Sequence, residues 1–244
     1  MTDGPWELPD GWRWATVEAV SEKIETGFAF AKKRAVSEGL LHLRPYNLSA
    51  TEGLDLSERL YIPRNRDTKE VPTPQPGDVL FNNTNSVELV GKAAYIDEEL
   101  DAAYSNHVTL VRSNKDMCLG KWLALCLRAL WQRGYFEHRC NRWIGQAGYN
   151  TSELKQTPVA LPTLSQQRGI VAKIKSVFER TREAKSLRKS LEEDVNTLMD
   201  SALADTFPNP AAALPQGWEM YNIGDMSAKP QYGYTQSAAE QNVG

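Results

Sequence analysis

The sequence predicts an α+β protein, a mixed α/β domain followed by a long helix able to form a coiled coil. Three observations carry that prediction. Short apolar runs punctuated by Pro-rich and Gly-rich turns fill the first 162 residues. From Thr163 to about Phe207 the chain then has no Pro, and Gly169 is its only Gly, while apolar positions recur every three or four residues. Finally, the phrase LPDGW at Leu8–Trp12 returns as LPQGW at Leu214–Trp218, 206 positions later.

In chain order, β-type runs are legible at Trp14–Val17, Asp78–Phe81, Ala93–Ile96 and His107–Val111, with the PTPQPG turn ending at Gly77. Met117–Tyr135 reads as a helix, because Leu119, Trp122, Leu123, Cys126 and Leu130 fall at helical spacing and form a core stripe. Pro162 closes this domain, and Thr163 with Gln166 fits a capping box that opens the long helix. Ile170, Ile174, Val177, Thr181, Ala184, Arg188, Leu191, Val195, Leu198 and Ala202 make a heptad seam along it. About 40 residues at 1.5 Å each give a helix of about 60 Å, longer than a core of this size needs. Pro208 and Pro210 end it.

The expected organisation is thus a domain at 1–162, a spacer and dimerisation helix at 163–207, and a linker with the start of a second domain at 208–244. The repeat runs past its phrase: Val17, Val20, Ser21, Lys23, Gly27 and Phe28 fall opposite Ile223, Met226, Ser227, Lys229, Gly233 and Tyr234. A repeat unit of whole-domain size is no solenoid. The expectation is half of a two-fold arrangement.

Charge along the helix is polarised. Arg168, Lys173, Lys175, Arg180, Arg182, Lys185, Arg188 and Lys189 stand against Glu179 and Glu183, a net +6, whereas Ser190–Phe207 carries only acids and a net −5. An antiparallel copy sets opposite charges together and a parallel copy stacks like on like, so an antiparallel homodimer is expected. Ile170, Ile174, Val177, Ala184, Leu191, Val195, Leu198 and Ala202 are its predicted contacts.

Composition narrows the function. At 244 residues and 41% hydrophobic the chain can bury a real core. No run approaches the roughly 18 apolar residues of a membrane span, and Asp3, Glu7 and Asp10 stand where a signal peptide carries positive charge. A cytoplasmic protein with no membrane contact is expected. Cys118, Cys126 and Cys140 lack a Cys-x-x-Cys pair and read as buried thiols, with no metal site and no cofactor. There is no phosphate loop, GxGxxG, HExxH, Gly-x-Ser-x-Gly or Asn/Asp-Pro-Pro-Tyr/Phe motif. Glu153-Leu-Lys155 has the Glu-x-Lys form of a nuclease site without a strand-borne Asp, and reads as a chance match. No catalytic residue is assigned.

Binding chemistry is better represented. The net charge of −3 gives no global sign of a polyanionic partner, but basic residues cluster: Lys32, Lys33 and Arg34; Arg64, Arg66 and Lys69; and seven bases against two acids from Arg112 to Arg142. Asn82, Asn83, Thr84, Asn85 and Ser86 follow the strand GDVLF as a run of donors and acceptors suited to base edges, or equally to a turn bonding its own backbone. Gln146–Ser152 is a second polar stretch, with Asn141, Arg142, Tyr149 and Asn150 around it.

These pieces resemble the specificity subunits of type I restriction-modification systems. The carriers are LPDGWRWATVEAV at Leu8–Val20, LRPYNLSATEGLDL at Leu43–Leu56, GDVLFNNTNSVELVGKAAYID at Gly77–Asp97 and LPTLSQQRGIVAKI at Leu161–Ile174. The resemblance implies a target-recognition domain, a spacer helix packing antiparallel on a second one, double-stranded DNA as ligand, and methyltransferase and restriction subunits as partners. It implies no catalysis by the chain itself. The predicted DNA contacts are Lys32, Lys33, Arg34, Arg64, Arg66, Asn82, Asn83, Asn85, Arg139, Arg142 and Asn150. The rival expectation is a coiled-coil adaptor without DNA specificity.

Overall fold

The computed structural model describes residues 4–49, 53–64, 71–207 and 213–227. The chain divides into two compact units, 1–178 and 179–244. The first, the head, begins with β1 (Arg13–Thr16), β2 (Ser21–Thr26), β3 (Leu40–Leu43) and β4 (Tyr61–Ile62). There follow β5 (Val79–Asn82), β6 (Thr84–Asn85), β7 (Ala93–Tyr95), β8 (Ala102–Tyr104), β9 (Val108–Ser113) and helix α1 (Gly120–Gln132). The head closes with β10 (Asn141–Trp143), β11 (Gln146–Gly148), the short α2 (Thr151–Lys155) and β12 (Pro158–Leu161), and leads into the long helix α3 (Leu164–Thr206). The one-turn α4 (Ile223–Met226) lies in the second unit.

The run VLF in β5 explains the layering. Its residues are wholly buried, which requires cover on both faces of a strand. Val79 and Phe81 point into a core shared with α1 residues Leu123, Leu127 and Leu130, while Leu80 points into another shared with Leu41, Leu43 and Tyr104. The four-stranded sheet β2-β9-β5-β7 is therefore sandwiched between α1 and the smaller sheet β4-β3-β8. All its pairings are antiparallel; β3 and β8 pair parallel. Under the sandwich, Arg112 grips the buried Asp78 with two bonds of 2.8 Å, a bidentate pair fixing β9 to the start of β5.

β1 pairs antiparallel with β12 from Arg13↔Leu161 to Thr16↔Pro158, so the chain enters and leaves the head on adjacent strands. Helix α3 starts as expected. Thr163 Oγ1 accepts from the Gln166 N–H at 3.3 Å and Gln166 Oε1 accepts from the Thr163 N–H at 3.1 Å. One turn later the buried Gln167 accepts from the Leu119 N–H at 2.9 Å and donates to the carbonyls of Met117 and Pro162 at 2.9 and 3.1 Å. Ile170 and Val171 pack on the α1 core. The N-terminal end of the predicted seam is thus partly covered by the head, and Ile170 belongs to that packing.

The predicted runs recur shifted by one or two residues. The Met117–Tyr135 helix is shorter, because Cys118 and Leu119 extend into its N-cap and Gly134, at φ +72°, turns the chain away. The repeated phrase holds at the level of backbone: Trp12 N–H donates to Pro9 O at 3.1 Å over Gly11 at φ +81°, and Trp218 N–H donates to Pro215 O at 3.1 Å over Gly217 at φ +89°. Both are tight turns whose third residue must tolerate positive φ. Lys229, Gly233 and Tyr234 of the longer repeat lie outside the described residues.

From Glu179 to Thr206 the side chains of α3 are exposed, among them Leu191, Val195, Leu198 and Met199. Arg188 pairs with Glu192 at 3.4 Å and Lys189 with Glu193 at 3.7 Å along the helix. No helix among the described residues is long and apolar enough to cross a membrane.

Candidate nucleic-acid interface

The two polar stretches, 60 residues apart in sequence, meet in one small sheet. β6 pairs antiparallel with β11 through Ala147↔Asn85 and Gly148↔Thr84, and β11 pairs with β10 through Asn141↔Gly148, Arg142↔Ala147 and Trp143↔Gln146. Tyr149 N–H donates to Asn83 O at 2.8 Å, continuing the ladder. The outer strand is a hairpin arm turning at Ile144 and Gly145, the latter at φ +77°.

A chain of side-chain hydrogen bonds fixes this sheet to the main one. Thr84 Oγ1 donates to Asn83 Oδ1 at 2.8 Å, and Asn83 Nδ2 donates to Thr109 Oγ1 at 2.8 Å and Asn106 O at 3.1 Å. The Thr109 hydroxyl lies 3.2 Å from that of Thr26, which lies 3.3 Å from that of Thr151. The ends of β2, β5, β9 and α2 therefore converge at one edge. From that edge, immediately after Thr26, departs the loop that carries Lys32, Lys33 and Arg34 as a short 3-10 turn.

This loop is anchored by its aromatics. Phe28 stacks edge-on to the buried His42 at 5.0 Å, Phe30 lies 6.0 Å from it, and Arg44 donates to Phe30 O at 2.5 Å. His42 Nε2 lies 3.3 Å from Phe28 O. Burial, and then the neighbouring Arg44 charge, hold its imidazole down to about pKa 4, so it is neutral at physiological pH.

The predicted contacts thus fall into distinct groups. Asn82 and Asn83 are buried, and Asn82 Nδ2 donates to Leu89 O at 2.8 Å. Both amides hold the turn together and do not present their edges outward, which corrects their reading as base-facing side chains. Tyr149 is likewise core: its hydroxyl lies 3.1 Å from that of Thr157, its ring packs on Phe136, and burial pushes its phenol up to about pKa 12. Asn85 is half-buried, with Oδ1 on the Ser86 N–H at 2.9 Å. Asn150 is exposed but serves as N-cap of α2, its Oδ1 accepting from the Glu153 N–H at 2.9 Å. Glu153 returns the bond to Asn150 N–H at 2.7 Å and Lys155 pairs with Glu18 at 3.0 Å, so the Glu-x-Lys pattern is structural.

The basic residues sort similarly. Arg139 lies over the Tyr135 ring at 4.0 Å, and exposed Arg142, on β10, donates to Glu137 O at 2.8 Å, so both guanidiniums are held on the turn that precedes the hairpin. Lys32 pairs loosely with Glu58 at 3.6 Å. Arg34 lies over Phe30 at 5.7 Å. Arg64 is ion-paired with Asp101 just past β4, on the small sheet's margin. Arg66 and Lys69 lie outside the described residues. The basic excess from Arg112 to Arg142 is dispersed: Arg112 is on Asp78, Lys121 on Asp97 at 2.6 Å, and Arg133 over Trp6 at 4.4 Å. Of that stretch, Arg142 lies on the sheet of polar strands.

Trp143 and Ile144 escaped the sequence reading. They are the most exposed large apolar side chains among the described residues of the head, at 60% and 104% of full exposure. The signal available was an apolar pair beside Gly145 inside a polar stretch. Cys118 and Cys126 are buried, and burial pushes the Cys118 thiol up to about pKa 12.

An α+β head carrying a small polar sheet, continued by one long helix, is the class of architecture that the fold defines. Comparison with known proteins places it further. Residues 59–193 match the type I restriction modification DNA specificity domain, and the chain belongs to that family. It is 25% identical over 232 residues to the MjaX type I restriction enzyme specificity subunit of Methanocaldococcus jannaschii, covering 90% of this chain and 53% of that one. It is 22% identical to the EcoEI specificity subunit of Escherichia coli over 84% of this chain and 35% of the relative.

Among solved structures, a chain from work on assembly and conformational transition of the type I R-M system superposes with a TM-score of 0.66 at 27% identity, over 91% of this chain and 56% of that one. The HsdS subunit of Thermoanaerobacter tengcongensis gives 0.58 at 25% identity, over 92% and 57%. The chain thus spans about half the length of the first of these relatives.

Proposed function

We propose that the head reads one half of a split double-stranded DNA site as the recognition part of a type I restriction-modification specificity subunit. The observation that carries this reading is the union of two polar stretches in the β10-β11-β6 sheet, whose exposed outer strand bears Arg142. The arginines and lysines would hold phosphates, and Gln146 with the remaining amide atoms of Asn85 and Asn141 would meet base edges. Asn82 and Asn83 support the turn beneath them.

The chain would act without catalysis of its own, docking methyltransferase and restriction subunits in the cytoplasm. The bare C-terminal part of α3 would pair antiparallel with a second such helix, in the simplest case from a second copy of the chain, giving a closed two-fold dimer.

The test is duplex binding by the full chain across a salt series. Phosphate neutralisation predicts a log-log slope of about −0.9 per contact, and Arg142→Ala should reduce the slope by about one. Affinity independent of salt would favour the rival, a coiled-coil adaptor without DNA specificity.

A further inference from the structure

We propose that the tip of the β10–β11 hairpin is an apolar wedge. Ile144, next to the exposed Trp143, enters the base stack of a bound duplex and parts one base step, while Arg142 holds an adjoining phosphate. The inference deepens the DNA-recognition reading and rests on it.

The tip has the wrong composition for a mere turn. Two-residue hairpin turns favour Asn-Gly or Asp-Gly, which are hydrated outside the sheet. Here the pair is Ile144-Gly145, between the paired residues Trp143 and Gln146. Gly145 takes the positive-φ position, so Ile144 sits on the crest with its side chain wholly clear of the protein. Exposed apolar residues scattered singly are ordinary, whereas an adjacent pair on a projecting crest is not.

The tip is also braced. Trp143 lies diagonally across the ladder on Gly148: a Cβ there would come within 2.7 Å of the indole, so the missing side chain is what seats the ring. Asn141 Nδ2 donates to Glu153 Oε1 at 3.0 Å and Arg142 to Glu137 O at 2.8 Å, and β11 is pinned to β6 on its other edge. Such bracing removes most of the ordering entropy that a flexible apolar loop would lose on binding. A β-branched side chain adds its own stiffness. Ile is among the residue types that serve as wedges between base steps.

Charge selects DNA over an apolar protein groove as occupant. Exposed Arg142 stands on the ladder pair next to the tip, and the nearby carboxylate of Glu153 is already engaged by the Asn150 N–H and Asn141.

The experiment uses the full chain and a duplex selected by it from a random pool, with 2-aminopurine placed at each position in turn. Wild type should brighten the probe at one step, the mark of lost stacking. Ile144→Ala should abolish that signal and weaken binding about tenfold or more, whereas Ile144→Leu should keep both. Because Ile144 touches no core, a melting curve should show both variants as stable as wild type. Salt-dependent binding with no brightening at any step, or brightening undiminished in Ile144→Ala, overturns the wedge and leaves DNA recognition standing. Absence of salt-dependent duplex binding by wild type overturns the recognition reading and the wedge with it. Loss of methyltransferase-subunit capture by Ile144→Ala with DNA binding intact would make the tip a protein contact and likewise overturn the proposal.

Discussion

Gln167 is the one fully buried side chain on α3, and all of its polar atoms are matched by backbone groups of the loop before α1 and of Pro162. Gln167→Leu would strand one N–H and two carbonyls in the interior, so the head should lose about 2–3 kcal/mol in urea denaturation followed by tryptophan fluorescence. An unchanged midpoint would refute the clasp. His42 makes a pH-dependent prediction. Its pKa is lowered from 6.5 to about 4 by burial and by Arg44, so the fold favours the neutral ring. Its contribution is complete above about pH 6.5 and is lost as pH falls toward 4, on the order of 2–3 kcal/mol. His42→Leu should flatten that acid limb; a limb of unaltered slope would assign the loss to other groups. At this scale the sequence was ambiguous for a physical reason. The amides of Asn82 and Asn83 bond equally well to a base or to a backbone, and only burial by strands distant in sequence decides between them. Trp143 is an apolar residue in a strand and Ile144 the apolar residue after it, where burial is the ordinary expectation.

Among the elements, those made by side-chain apolarity were legible and those made by pairing were not. β5, β9, α1 and α3 carry their own hydrophobic periods. β2 reads SEKIET, with polar residues at most positions, and is a strand because β9 bonds it from Ser21 to Thr26. β10 is exposed along its whole length and exists through β11. The parallel β3–β8 pair joins segments about 60 residues apart, beyond any local pattern. For α3 the capping box and length were legible, while the covering of Ile170 by the head was not. The exposed seam gives the element-scale prediction. Replacing Leu191, Val195 and Leu198 together by Ser should abolish self-association in sedimentation at micromolar concentration, because each apolar side chain fully buried in a pair contributes about 1.5–3 kcal/mol. The melting of the head should not move. A wild-type chain that sediments as a monomer would defeat the proposed pairing outright.

On the proposed reading, helix length becomes a distance on DNA for the whole molecule. In an antiparallel pair of α3 helices, deleting seven residues from the exposed part keeps the seam in phase and shortens it by about 10 Å. That is about three base pairs at 3.4 Å per pair, so duplex selection should return half-sites closer by about that number. Deleting four residues should instead break pairing, since the seam then rotates out of register. An unchanged spacing after heptad deletion would mean that something other than α3 sets it. The long helix and its charge gradient were legible because they need no tertiary information; the route by which the recognition surface is assembled was not.

The pairing of β1 with β12 bears on how such a molecule changes over generations. Everything from Val17 to Thr157, the polar sheet and the basic loop included, hangs from two neighbouring strand ends. The borders of that excursion are the LPDGW turn on one side and the LPTLSQQR helix start on the other. An exchange of coding sequence between these borders would replace one head by another without altering the seam of α3 or its phase. New binding preference could then arise in a single genetic event, by transplantation of a finished body, and would not have to wait for loops to be remodelled residue by residue inside a packed core.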